Sequence, residues 1–315
     1  MATAVNTSTQ QYFGFDPRTI PGCVLWMDAA DRNVMFSDTG RTTLATLGGT
    51  VVRWNDKSGF SNHVTASSGT TTLTASAINQ LPALSFASSW FTGGFSSTYT
   101  GNQLRGFAVA TLASGSGAFA RIFSLGRPGV NDFNATDTTF LFIRNAGGQN
   151  IMVGRNNSYL GVNIPGYSTP FLIQAGHASN IESIAVNGAL IPSPQNTGVS
   201  GNFNITSYGI GTNTNTADIQ PFIGLIGEII YYTENLTTAQ IQQVEGYLAW
   251  KWGLQANLPV GHAFKNNPTT MRVFRPIDID SCALWLDAAD ASTILPSNIT
   301  SGTAITRWND KSSNA

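Results

Sequence analysis

Charge is scarce in this chain. Lys, Arg, Asp and Glu make up 10% of its 315 residues and the net charge is −1, where an average soluble protein carries about 25% charged residues. There is no basic run and no Lys/Arg stripe, so the phosphate-neutralising surface of a nucleic-acid binder is missing. Glutamate is rarer still, found only at Glu182, Glu228, Glu234 and Glu245. A glycosidase holds two carboxyl groups about 5–5.5 Å apart for retention, or about 6.5–9.5 Å for inversion. Glu228 and Glu234 share a parity on one candidate strand, yet six residues at about 3.3 Å each separate them by roughly 20 Å. The sequence therefore argues against an enzyme, although Asp pairs drawn from different strands stay open. The histidines His63, His177 and His262 sit in unrelated contexts, without the spacing of a metal pair or a nucleophile elbow.

Cysteine occurs only at Cys23 and Cys282. Each lies in an apolar run and reads as a buried thiol rather than part of a disulfide framework. The opening residues have no basic segment followed by an apolar one, which predicts no signal peptide. No apolar run approaches the ~18 residues of a membrane span. Gly, Ser, Thr and Asn take up the polar share, and that composition suits many strands joined by turns.

What the chain does have is a phrase written twice. Cys23-Val-Leu-Trp-Met-Asp-Ala-Ala-Asp31 returns as Cys282-Ala-Leu-Trp-Leu-Asp-Ala-Ala-Asp290, and Arg53-Trp-Asn-Asp-Lys-Ser58 returns unchanged as Arg307-Trp-Asn-Asp-Lys-Ser312. A period this long means whole domains in series, since solenoid units run to ~20–50 residues. The expected organisation is a polar arm over 1–18, one sandwich domain over 19–255, and a linker over 256–276. Residues 277–315 would be the first strands of a second, incomplete repeat.

Strand-like runs fall at 22–27, 50–55, 82–86, 106–113, 120–125, 138–144, 149–154, 170–176, 182–191, 205–211 and 222–232. Turn clusters such as Gly93-Gly94 separate them, so the spacing predicts an all-β sandwich or barrel. Asn187-Gly188 between apolar residues predicts a two-residue hairpin turn. One helix is expected over 238–253, with Thr237 and Gln240 as a capping box and Ile241, Val244, Leu248 and Trp252 on its apolar face.

Three segments together resemble laminin-G-like, concanavalin A-like domains. They are Gly22–Asp31 with Arg53–His63, the Val186-Asn-Gly-Ala-Leu190 hairpin, and Phe222–Tyr232 with Leu236–Gly253. The resemblance implies an antiparallel two-sheet jelly-roll of about a dozen strands. The wording after the helix is similar to domains repeated in structural proteins of large DNA viruses. It implies a virion or particle-surface setting, with other virion or surface proteins as partners and cell-surface or capsid glycans as a further possibility. Such a fold does not fix a function. The expectation is a non-enzymatic structural or attachment module, with a glycan-binding lectin as the alternative and a carbohydrate-active hydrolase third.

Two candidate sites follow. Asp28, Asp31 and Asp56 sit near the ends of early strands, and Ca²⁺ takes several oxygen ligands from such loops. The structural alternative has Asp28 capping a turn, Asp56 accepting from the Ser58–Gly59 amides, and Arg53 or Lys57 pairing with either acid. Trp90, Tyr159 and Asn157 are candidates for a sugar platform, against the commoner case of buried aromatics.

Overall fold

The computed structural model describes residues 15–132, 135–144, 149–191, 195–196, 201–215 and 219–268, and in the tail 284, 286, 294–295 and 304–309. In chain order the first strands are β1 (Cys23–Asp28), β2 (Met35–Phe36), β3 (Arg53–Trp54), β4 (Val64–Ser68), β5 (Thr72–Ile78) and β6 (Leu81–Ala87). Next come β7 (Trp90–Tyr99), β8 (Gln103–Leu112), β9 (Arg121–Gly126), β10 (Thr139–Arg144), β11 (Asn150–Arg155) and β12 (Ser158–Asn163). The rest are β13 (Phe171–Ala178), β14 (Ile181–Val186), β15 (Ala189–Leu190), β16 (Gln195–Asn196), β17 (Ile205–Ile210) and β18 (Ile223–Tyr232), followed by helix α1 (Thr238–Lys251).

These strands form two antiparallel sheets. One runs β15-β14-β13-β8-β18-β6-β5, with β1 added beside β18 and β16 beside β14; the other runs β12-β11-β10-β9-β17-β7-β4-β3-β2. The expected all-β, two-sheet sandwich with one surface helix is the fold observed. Alternate residues of both sheets meet in one core, in which Leu25, Met27, Phe91, Phe123, Tyr208 and Tyr231 are buried. Strand β1 is apolar up to its closing Asp28 and is covered on both faces. Leu25 and Met27 point into the core, while Trp26 and Asp28 meet Glu228 and the helix residue Lys251 on the other side.

The helix begins where the sequence places it. Thr237 accepts from the Gln240 amide and Gln240 returns a bond to the Thr237 amide. Val244, Leu248 and Trp252 are buried, and Ile241 is half-buried. Trp252 lies flat on β18, its ring 2.8 Å from where a Cβ on Gly227 would stand. The Asn187-Gly188 hairpin is also as expected, both residues having positive φ.

Several expectations are corrected. Strands β2, β4, β5, β7, β12 and β16 lie outside the expected runs, and Gly93-Gly94 is not a turn but lies inside β7. A glycine fits mid-strand there because the Tyr208 ring is 2.7 Å from the place a Gly93 Cβ would take. Residues 16–18 and 256–268, at the edges of the expected arm and linker, make contacts with the sandwich. The first compact unit spans Asp16–Thr269. Tyr232 donates to the Pro17 carbonyl at 3.0 Å, Leu258 is buried, and the His262 ring faces Glu245 at 3.2 Å.

A second unit groups Met1–Phe15 with Thr270–Ala315. Its described residues include the strand pair β19 (Ile294–Leu295) and β20 (Arg307–Trp308). Their register, Ile294 opposite Trp308 and Leu295 opposite Arg307, matches that of Met35 opposite Trp54 and Phe36 opposite Arg53. The recurring phrase thus recurs in pairing as well as in spelling. The N-terminal residues 1–14 and most of the expected second-repeat strand 282–287 lie outside the described residues.

Candidate functional site

The β3–β4 connection, residues 55–63, organises one rim of the sandwich. Asp56 is its anchor: Oδ1 accepts from the Trp26 and Ser58 amides at 2.9 and 2.8 Å. Oδ2 accepts from the Ser58 hydroxyl at 2.6 Å and the Asn62 amide at 3.0 Å. Asn62 then ties three elements together. Its Nδ2 donates to Val24 O at 2.7 Å, its Oδ1 accepts from Ser96 N at 2.7 Å, and its carbonyl accepts from the Tyr208 hydroxyl at 2.6 Å. A loop held at this many points presents its remaining side chains in fixed positions.

Alternate residues of this loop face two different depressions. Ser61 and His63, with Arg18, Trp26, Arg41, Asn55 and Lys57, line a broad open one. Its cations are largely matched. Arg18 pairs with Asp16 at 2.5 Å, and Lys57 with Asp28 and Asp31 at 2.9 Å each. Burial and the nearby Arg53 hold the His63 ring below its ordinary pKa, so it is neutral at pH 7.

Phe60 and Asn62 line the other, a cleft of about 120 Å³ at the end of the inter-sheet space. Strand β7 opens it. The β7–β17 pairing holds at Gly94 with Ser207, then resumes at Tyr99 with Ile205, so Phe95–Thr98 lie opposite Thr206 alone. A bulge of this kind re-aims side chains locally. The walls are Phe60, Phe95 and Tyr99, the bulge supplies Ser96, Ser97 and Thr98, and no charged side chain lines the cleft. Phe60 is 51% exposed. Tyr99 is satisfied, donating to the Gln103 carbonyl and accepting from the Gln103 amide. Tyr231 is not: it is 1% exposed, and among the described residues its hydroxyl has no hydrogen-bond partner.

The expected acid cluster is divided by its own partners. Lys57 Nζ stands between Asp28 Oδ2 and Asp31 Oδ2, and Lys251 Nζ is 2.7 Å from Asp28 Oδ1. Asp31 also caps the Asn33 amide, and Asp56 faces amides and a hydroxyl instead. Ammonium groups occupy the places a cation would take, so this donor set does not fit Ca²⁺. Among the described residues, no group of three or more His, Cys, Asp or Glu side chains is arranged to hold a metal. The structural alternative describes the arrangement better, with Asn62 replacing Gly59 as the second amide on Asp56.

The platform residues do not converge. Asn157 and Tyr159 share the β11–β12 hairpin, where Asn156 and Asn157 have positive φ and Tyr159 is 49% exposed. Trp90 is half-buried at the start of β7, five strands away in the same sheet, or about 24 Å at the usual strand spacing. The cleft residues Phe60, Phe95, Tyr99 and Tyr231 were missed as a set, since they come from three distant segments. One signal was present: Ser312 is followed directly by Ser313-Asn314, whereas Ser58 is followed by Gly59-Phe60 before Ser61-Asn62. The repeat copies the loop anchor and leaves out Phe60.

No protein family and no curated protein matches the chain. Solved structures do. The ligand-binding domain of botulinum neurotoxin serotype D, in complex with N-acetylneuraminic acid, aligns with a TM-score of 0.50 at 11% identity, covering 74% of this chain and 54% of that one. Trypanosoma rangeli sialidase aligns with a TM-score of 0.45 at 10% identity, over 73% of this chain and 33% of that one. Domain 4 of a GH43 extracellular arabinanase from Geobacillus stearothermophilus, in complex with arabinotriose, gives 0.45 at 15% identity, over 70% and 96%. The chain spans about half the length of the botulinum chain. At 11% identity the likeness to the botulinum domain is one of fold alone, a β-sandwich.

Proposed function

We propose that the Asp16–Thr269 unit is a non-enzymatic carbohydrate-binding module. The observation that carries this reading is the uncharged cleft of Phe60, Phe95, Tyr99 and Tyr231 beside the rigid 55–63 loop. Aromatic walls take the apolar face of a sugar ring and hydroxyls take its edge. The fold is shared with a domain solved with a bound saccharide, which fits the reading, while the residues that would hold a sugar here are this chain's own. The absence of catalysis is supported by the fate of the neighbouring acids. Asp28 and Glu228 are register partners, yet both are sealed from solvent and share Lys251 between them, which leaves no room for substrate.

In its narrower form the proposal sets the module in a serial array on a virion or other particle surface, where repeated weak sites gain avidity. The twice-written phrase supports the serial part. A glycan array probed with the folded 315-residue chain, with EDTA present, tests the reading. Retention of at least one saccharide is expected, without dependence on divalent metal. A blank array from folded protein would leave a structural spacer as the function.

A further inference from the structure

We infer that the Tyr231 hydroxyl is the specificity-determining contact of the cleft, and that the cleft takes one neutral, hydroxyl-bearing sugar ring. This rests on the carbohydrate-binding reading and names its ligand class and deepest contact.

The starting point is an anomaly in hydrogen bonding. Buried polar side-chain atoms nearly always have partners, and burying a hydroxyl without one is unfavourable. Tyr231 breaks this rule at a place where the protein opens rather than closes. Its ring packs in the core, 5.9 Å from Phe123 and 6.4 Å from Phe95 between centroids, while the residue also lines the cleft. The neighbouring Tyr208 and Tyr232 hydroxyls both find carbonyls, on Asn62 and Pro17. Of these three buried tyrosines, Tyr231, which lines the cleft, is left without a partner among the described residues.

The surroundings narrow the class of partner. No charged side chain lines the cleft, so a carboxylate-bearing or sulfated sugar would lose hydration there without compensation. A neutral ring keeps its balance. Phe60, half exposed at the mouth, and Phe95 and Tyr99 along the wall cover its C–H face, the Ser96–Thr98 bulge meets its outer hydroxyls, and Tyr231 takes the innermost one. A site built to bond a hydroxyl rejects analogues lacking it far more strongly than an apolar slot rejects extra bulk, which makes Tyr231 the discriminating group.

The substitution Tyr231→Phe removes the hydroxyl and keeps the ring. Binding of the methyl glycosides of glucose, galactose, mannose, arabinose and N-acetylglucosamine, with N-acetylneuraminic acid as the charged comparison, is measured calorimetrically on the full chain, and thermal unfolding is followed in parallel. At least one neutral glycoside is expected to bind more tightly than N-acetylneuraminic acid. Tyr231→Phe should weaken it about tenfold or more with an unfolding temperature equal to or above the parent's, since an unpaired buried group has been removed. Phe60→Ala, at an exposed position, should weaken it as well. Unchanged affinity in Tyr231→Phe would mean that the hydroxyl holds only a water, and would overturn the inference, as would preference for the charged sugar. If a saccharide binds but is insensitive to both variants, the module reading stands and the cleft is wrong. If nothing binds here or on the array, both fall.

Discussion

Glu182 and Glu228 are both sealed from solvent, and their surroundings treat them differently. Glu228 accepts from Trp26, Tyr247 and Trp252 and pairs with Lys251. Burial still raises its carboxyl above the ordinary value, with Lys251 opposing. Burial would also raise Asp28, but Lys251 and Lys57 together outweigh it and hold that carboxyl down. Among the described residues neither Glu182 oxygen has a hydrogen-bond partner; its near neighbour is His177 Nδ1 at 3.7 Å. Burial raises its pKa, and His177 and Arg155 offset this only in part. A carboxyl raised on folding contributes stability below its unfolded pKa and loses it as pH rises through the folded value. Replacing Glu182 by Gln should therefore raise the unfolding temperature at pH 7 and flatten its decline above about pH 4.5. A variant that melts lower at pH 7 would show the carboxylate to be satisfied. Cys23 follows the same logic: burial pushes its thiol up to about 12, which suits the inert packing role expected of it.

At the scale of elements, the helix is fastened by charge as much as by apolar contact. Lys251, in its last turn, reaches Asp28 on β1 and Glu228 on β18 at 2.7 Å each. Lys251→Ala would leave two buried carboxyls without their shared cation and should cost roughly 3–5 kcal/mol in urea unfolding. A loss below about 1 kcal/mol, the size of a surface pair, would contradict the account. The helix itself was legible, because its capping box and apolar spacing are local. Its buried polar face was not, since Lys251 meets Asp28, which lies 223 positions away in the chain. Strand β7 was illegible for a different reason. Its Gly93-Gly94 and Ser96-Ser97-Thr98 spell a turn, and only Tyr208 over Gly93 and the β17 pairing make them a strand. The cleft was hidden with it, because it is made by that strand's departure from register.

At the scale of the whole molecule, the recurring phrase repeats scaffold residues. Trp26, Asp28, Asp31, Trp54, Asp56 and Lys57 all recur by residue type in the second copy, and in the first they build the rim anchor and the salt-bridge network. The sequence points to Asp28, Asp31 and Asp56 because they sit near the ends of early strands, and in the structure Asp28 and Asp31 meet Lys57, Asp28 also meets Lys251, and Asp56 accepts from the loop amides. Phe60 is missing from the recurring phrase, where Ser312 is followed by Ser313-Asn314. The account's central claim is that the uncharged cleft, and neither the matched-charge depression nor the β11–β12 hairpin, is where a saccharide sits. Backbone amide mapping of the full chain, titrated with the neutral methyl glycoside that binds it, tests this most directly. The account predicts that the largest shifts fall at Phe60–Asn62, Phe95–Tyr99 and Tyr231. Shifts centred on Asn156–Leu160, or on Arg18, Arg41 and His63 alone, would contradict it.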